Sequence, residues 1–246
     1  MKIALILTGL VGSLKGKSYD KKSYLNGEDT VLETCYEKFD EHLLSKNDVD
    51  VFFHTWDTHH ERKLVQKYEP KGYEVEEQKL FTDIIPVSSK RVQAHYSKWY
   101  SIKKAMRLKR DHESLYNFKY DFVMQSRFDL VWKTDVIFSD FDVDKFYIPG
   151  TTKGGRPWGW PHKLSNNEIG DLFFFSNSKN MDDFSKLYDE INYYLLDGCP
   201  TFHGISNHML AKWHLKELKL LPKKTEVALD DLIDFEICRS YIDDKQ

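Results

Sequence analysis

The segment Lys2–Thr8 (Lys-Ile-Ala-Leu-Ile-Leu-Thr) is a continuous β-favouring run, apolar from Ile3 to Leu7, with no polar alternation. A strand showing one face to water alternates, so this run demands a strand covered by protein on both faces. Similar runs recur at Asp50–His54, Tyr120–Ser126 and Asp171–Phe175, with a shorter one at Phe146–Pro149. Between them the apolar spacing changes to helical. Val31, Leu32, Cys35, Phe39, Leu43 and Leu44 predict a helix over Glu28–Ser45. Tyr96, Trp99, Tyr100, Ile102, Ala105, Met106 and Leu108 predict a long one over Val92–Glu113. Residues 59–80 read as a short helix and then a strand near Tyr73–Glu77. One helix is expected from Ser178 to near Leu196, and a last one over Ser206–Glu217; the acidic tail from Leu229 carries no clear signal. Strands alternating with helices, without a repeat or a low-complexity linker, predict a single α/β sheet domain.

Bulk properties narrow the class. A chain of 246 residues fits one large α/β domain and buries about 70–75% of its unfolded surface without a covalent staple. With 36 basic and 39 acidic residues, a net charge of −3, no nucleic-acid or membrane-surface footprint is expected. Cys35, Cys199 and Cys238 are far apart and form no C-x-x-C, which predicts reduced thiols and a cytoplasmic protein. The apolar start is too short for a signal peptide, and no run reaches the ~20 apolar residues of a membrane span. Aromatic residues make up 15% of the chain, a composition that suits a cleft stacking bases or sugar rings as well as a packed core.

In open α/β sheets ligands sit at the carboxyl ends of the strands. That rule selects Gly9–Ser13, His54–Asp57, Arg127–Asp129 and the Gly/Pro/Trp-rich loop after Pro149. The Gly9–Ser13 turn, through Gly9, Leu10 and Gly12, can offer backbone N–H groups to a phosphate or ribose; it is neither G-x-G-x-x-G nor a P-loop, and a plain turn reads equally well. Arg127-Phe128-Asp129 reads alone as an ion pair closing a strand. His54, Thr55 and Asp57 can take ribose or base hydrogen bonds beside a stacking Trp56, or Trp56 can be core and Asp57 a helix cap.

Context adds a resemblance. Gln93–Lys104 followed by Asn117–Asp129 resembles a family of glycosyltransferases met in bacterial polysaccharide loci and in large viruses and phages. Its pattern is a helix with a Tyr-Ser-x-x-Lys core and then a Tyr-Asp-x-Val-x-x-Arg-x-Asp strand. Asp50–Asp57 is similar to that family's Asp-x-Phe-x-His-Thr-Trp strand, and Ile169–Ser176 to its x-x-Asp-x-Phe-x-x-Ser strand. The resemblance implies a single-domain GT-A-like fold, a Rossmann-like mixed sheet flanked by helices, with a nucleotide-binding part over about residues 1–132 and an acceptor-side part over about 133–246. It also implies transfer of a sugar from a nucleoside diphosphate sugar to a hydroxyl of a glycan or glycoconjugate.

By the same resemblance Asp129 takes the place of the Asp-x-Asp metal motif and would hold Mn²⁺ or Mg²⁺, which prefer oxygen ligands. Arg127 replaces its first acidic position and could itself face the diphosphate, or orient Asp129. Gln93, Ser97 and Lys104 are the donor-side candidates on the long helix, although a helix lysine also reads as solvated. Asp171 is a candidate general base or sugar ligand. Trp158 and Trp160 are candidate acceptor platforms, against a folded-back apolar plug. A histidine late in the chain, here His203 or His208, can complete a metal site in GT-A enzymes, but the family pattern near Ser206–His208 carries Glu, and a surface histidine is the plainer reading. Two other classes stay open: a non-catalytic nucleotide- or carbohydrate-binding protein on the same scaffold, and a nucleotidyltransferase with more carboxylates grouped around Asp129.

Overall fold

The computed structural model describes residues 1–11, 29–81, 90–150, 168–194, 206–230 and 234–238. Seven strands form one sheet in the order β3-β2-β1-β4-β7-β6-β8: β1 (Lys2–Gly9), β2 (Asp48–Thr55), β3 (Gly72–Val75), β4 (Phe122–Arg127), β6 (Phe146–Gly150), β7 (Phe173–Ser176) and β8 (Lys224–Asp230). β1, β2, β3 and β4 are mutually parallel, whereas β7 runs antiparallel to both β4 and β6. The fold is therefore α/β with a mixed sheet.

The apolar runs divide by parity, as strands covered on both faces must. Ala4, Ile6, Phe52, Val123 and Phe174 face one core with the long helix α3 (Lys90–Tyr116). Ile3, Leu5, Leu7, Phe53, Met124 and Phe173 face the other, with Leu32 and Phe39 of α1 (Asp29–Phe39) and Leu64 of α2 (Glu61–Tyr68). Every one of these side chains is at most 1% exposed.

Several boundaries depart from the sequence reading. A π-helical turn at Asp40–Leu44 follows α1, and β3 lies earlier than Tyr73–Glu77. The apolar Leu130–Trp132 is a separate strand, β5, paired with β9 (Phe235–Ile237) in a second, two-stranded sheet. The helix expected from Ser178 is two, α4 (Ser178–Phe184) and α5 (Leu187–Tyr193). Ser185 stands at the break; its hydroxyl donates back to the Asp182 carbonyl (2.8 Å) and accepts from Arg110 (3.1 Å), competing with helix continuation. β8 was not foreseen. The final helix α6 (Asn207–Glu217) starts where expected, capped by Ser206, whose Oγ accepts the Met209 N–H at 3.1 Å.

One interior charge network ties the layers together. Lys109, fully buried, donates to Glu113 (3.1 Å) and Ser178 (2.6 Å) and lies 2.8 Å from Asp182. Glu113 in turn accepts from the Tyr120 backbone N–H (3.1 Å), the Ser178 hydroxyl (2.6 Å) and Lys119 (2.7 Å). Burial alone would raise the Glu113 carboxyl, but these donors outweigh it and hold it below its ordinary range. α3, the entry to β4 and α4 are thereby joined through one buried carboxylate.

Candidate active site

The parallel strands run outward from β1 in both directions: β2 and β3 to one side, β4 to the other. The chain therefore reverses direction across the sheet between β1 and β4, and their carboxyl ends flank the crevice where open α/β sheets bind ligands. Thr8 is in register with Arg127 across that crevice.

Gly9 closes β1 with φ +104°, a conformation L side chains rarely adopt, and among the described residues nothing lies within 4 Å of where its Cβ would be. The glycine is thus required by backbone conformation, and the space above it is open. Its carbonyl accepts from Thr55 Oγ1 at 2.7 Å. Leu10 packs against the α3-side core. Gly12 lies outside the described residues, as do Trp158 and Trp160.

On the β4 side, Phe128 is buried between Phe53 and Tyr68 (ring centroids 5.6 and 5.8 Å). The Asp129 carbonyl accepts the Cys238 N–H at 2.8 Å. The turn is pinned at both points, with Arg127 and Asp129 on either side of the anchoring ring. Arg127 grips Asp129 with two parallel bonds, Nε–H to Oδ1 (2.7 Å) and Nη2–H to Oδ2 (2.6 Å). The arginine side chain keeps 36% of its surface open to solvent and the carboxylate 21%.

β7 being antiparallel, its beginning lies at the carboxyl edge of β4, Ser126 pairing with Phe173. Asp171 consequently joins Arg127 although it precedes its own strand. Lys98 of α3 donates to Asp171 through Oδ2 (2.6 Å) and through the backbone carbonyl (2.7 Å). His208 Nδ1 stands 3.2 Å from Asp171 Oδ1 and 2.9 Å from the Ile169 carbonyl.

The electrostatics follow from this packing. Burial would raise the Asp171 carboxyl, but Lys98, His208 and Arg127 outweigh it and hold it well below the usual carboxylate range. Burial lowers the Lys98 ammonium despite Asp171. Burial also opposes the Arg127 charge, and Asp129 and Asp171 more than compensate. Asp171 and Arg127 are thus held charged beside Lys98 and Asp129 in a partly open recess.

The remaining donor-side candidates stand apart, toward the β2–β3 edge. His54 is fully buried, its Nε2–H donating to Glu76 (3.3 Å) and its Nδ1 accepting from Ser101 (3.0 Å). Lys104 is paired with Glu74, and lies 3.2 Å from Glu76. Ser97 accepts from Gln78 at 3.1 Å. Gln93 accepts the Phe81 N–H and donates to the Lys79 carbonyl, each at 2.7 Å, fixing a loop to α3. Thr55 accepts the Asp57 N–H (3.0 Å), and Asp57 accepts from the backbone (3.2 Å) and lies 2.9 Å from the ring nitrogen of His60. Trp56, 6% exposed, is stacked on Tyr100 (5.3 Å, 22°); it is a core residue and offers no face to a base. Among the described candidates Arg127, Asp129 and Asp171 come together, Gly9 and Thr55 meet at the ends of the neighbouring strands, and the others stand apart.

The residues present do not fit a divalent cation at Asp129. Both of its oxygens are taken by Arg127, and among the described residues no group of three or more His, Cys, Asp or Glu side chains converges on one point. Hard cations need several oxygen ligands. What converges here is two carboxylates, each already bonded by a cationic side chain.

Sequence reasoning missed Lys98 and His208. Lys98 is in phase with Ile102, Ala105 and the buried Lys109, so a lysine on the apolar stripe was the available signal. His208 reads in the sequence as a surface histidine, and nothing there pairs it with Asp171, 37 positions away.

Burial also makes a prediction here. It pulls His54 and His214 down to about 4, against about 6.5 in an unfolded chain. As pH falls from about 6.5 to 4 the unfolded state binds more protons, so stability is complete above that window and declines through it, by about 2–3 kcal/mol for each histidine. Urea unfolding at pH 7 and pH 4.5 should show a clearly lower midpoint at pH 4.5; an unchanged midpoint would contradict this reading.

Among the described residues no helix is long and apolar enough to cross a membrane. No protein-family model matches the chain, and no curated protein sequence matches it.

Proposed function

We propose that this protein is a GT-A-like glycosyltransferase that moves a sugar from a nucleoside diphosphate sugar to a hydroxyl of a glycan or glycoconjugate, and that it holds the diphosphate with cationic side chains. The observation that carries the reading is the meeting of Arg127 and Lys98 at the crevice between β1 and β4, each buttressed by a carboxylate. A guanidinium has five N–H donors and an ammonium three. Two of the five are spent on Asp129, and two of the three on Asp171. The remaining donors can take phosphate oxygens without the carboxylates having to leave.

In sugar transfer the bond from the anomeric carbon to the diphosphate breaks and charge accumulates on the departing phosphate. Fixed donors aimed at that charge are the largest lever available to such a site. A positively charged pair with bound carboxylates is already oriented, so little reorganisation is needed at the moment of bond breaking. Gly9, bare on its open side, lets the nucleotide approach the backbone. A nucleotidyltransferase would place carboxylates together for its cations, which the described residues do not.

The test is release of nucleoside diphosphate from UDP-glucose, UDP-N-acetylglucosamine, GDP-mannose and dTDP-glucose, in EDTA and in Mn²⁺. Release from one donor class, undiminished by EDTA, is the expected result. Binding of a nucleotide without any release would favour the non-catalytic binding protein.

A further inference from the structure

We propose that His208 is the proton acceptor of the transfer, working as a dyad with Asp171; the proposal rests on the glycosyltransferase reading and assigns its base. Asp171 is poorly suited to that task itself. One of its oxygens is taken by Lys98 at 2.6 Å and the other faces His208 at 3.2 Å. It is held deprotonated by its neighbours rather than poised to gain a proton.

The imidazole is arranged differently. A carbonyl oxygen can only accept, so the 2.9 Å contact between Nδ1 and Ile169 O places the proton on Nδ1. Asp171 Oδ1, the second neighbour of that nitrogen, is also an acceptor. The neutral ring therefore carries its lone pair on Nε2, and the side chain keeps 36% of its surface open to solvent. A base needs that arrangement: one nitrogen free toward the substrate, the other held by groups that welcome positive charge.

The residues just before the ring are also held from two directions. Asn207, its neighbour on α6, accepts from Trp99 Nε1–H (3.0 Å) and lies 2.9 Å from His95 Nδ1, both on α3. Ser206 donates to Glu168 at 3.0 Å and caps the helix. The start of α6 is thus fixed both to α3 and to the segment 168–171 that carries Asp171. Among the described residues the charged group against the ring is Asp171, which in turn is bonded by Lys98 and acted on by Arg127; Glu168 and His95 bond the ring's neighbours Ser206 and Asn207.

In the step, the acceptor oxygen forms a bond to the anomeric carbon as its proton passes to Nε2 of His208. The bond from that carbon to the diphosphate breaks on the opposite side, and its electron pair leaves with the nucleoside diphosphate, held by Arg127 and Lys98. Asp171 stabilises the imidazolium. A single base facing the acceptor implies inversion at the anomeric carbon.

The test compares wild type with His208→Gln and His208→Ala, measuring three things. Nucleoside diphosphate release from the four nucleotide sugars above should fall about 10²–10⁴-fold in His208→Gln, with the loss in kcat rather than KM. The acid limb of the rate–pH profile should vanish with it, and added imidazole should restore part of the rate to His208→Ala. Thermal stabilisation by the matching nucleoside diphosphate should be unchanged, which separates loss of base from loss of binding or of fold. Independently, ring ¹⁵N NMR of wild type should show His208 as the Nδ1–H tautomer. A His208→Gln rate within about threefold of wild type, well short of the loss expected for a missing base, overturns the dyad while leaving the transferase standing. So does an Nε2–H tautomer. If wild type releases nucleoside diphosphate from none of the donors and is stabilised by none of the diphosphates, the reading beneath the dyad fails and the dyad fails with it.

Discussion

Arg127→Ala is expected to abolish stabilisation by nucleoside diphosphates and to lower kcat/KM about 10²–10³-fold, the usual cost of removing one fixed donor from a developing negative charge. Three things are lost together: the fork that faces the phosphate, the positive charge that offsets two carboxylates, and the partner of Asp129. Removal leaves Asp129 and Asp171 facing an incoming polyanion with Lys98 alone to offset them. Arg127→Lys should fall between, because a lysine keeps the charge but cannot hold Asp129 and a phosphate in one plane. Asp129→Ala should cost less than Arg127→Ala, since it frees the guanidinium without removing it. The ranking separates this reading from a metal-dependent one. If Asp129→Ala abolished binding that Arg127→Ala retained, Asp129 would be a cation ligand and the cationic reading would be wrong. Enzyme kinetics together with thermal shift on the three variants decide the matter.

The second large effect concerns stability. Lys109→Met should destabilise the fold by about 3–5 kcal/mol, because it leaves the Glu113 carboxylate and Asp182 without their shared buried cation. For a chain of this size that corresponds to a drop of roughly 6–20 °C in Tm, at about 2–4 °C per kcal/mol. The double variant Lys109→Met/Glu113→Gln should regain part of the loss, since the amide needs no counter-charge. Calorimetry of the single and double variants reads both effects. A Lys109→Met protein melting within about 3 °C of wild type, a change near 1 kcal/mol, would show that the network contributes little.

What the sequence disclosed, and what it did not, has a physical pattern. Lys2–Thr8 announced a strand buried on both faces, because only such a strand can be apolar at every position, and Ile3, Leu5 and Leu7 indeed face a different core from Ala4 and Ile6. Long periodic segments such as α3 were equally legible. The break at Ser185 was not, because it depends on Arg110 and on a hydroxyl turned back to its own helix. β8 and β5 were missed as strands because their pairing partners are distant in sequence, Phe146–Gly150 and Phe235–Ile237 respectively.

The site was legible in halves. Arg127, Asp129 and Asp171 could be singled out as polar residues interrupting apolar strands, but their meeting depends on β7 being antiparallel to β4, which no local pattern encodes. His54, Asp57, Gln93, Ser97 and Lys104 were candidates in sequence as well. Packing assigns each of them a partner elsewhere: Glu76, His60, the Lys79 carbonyl, Gln78 and Glu74. Conversely Lys98 and His208, passed over as helix and surface residues, are brought to Asp171 by folding.

The most direct measurement is the thermal shift of the wild-type protein with UDP, GDP, CDP and dTDP, each in EDTA and each in Mn²⁺ or Mg²⁺. Ligands that bind the native state raise its Tm by mass action. If Arg127 and Lys98 hold the diphosphate, at least one of the four should stabilise the protein in EDTA as well as it does with metal. Stabilisation seen only with metal, or by none of the four, would contradict the cationic site on which this reading of the protein stands.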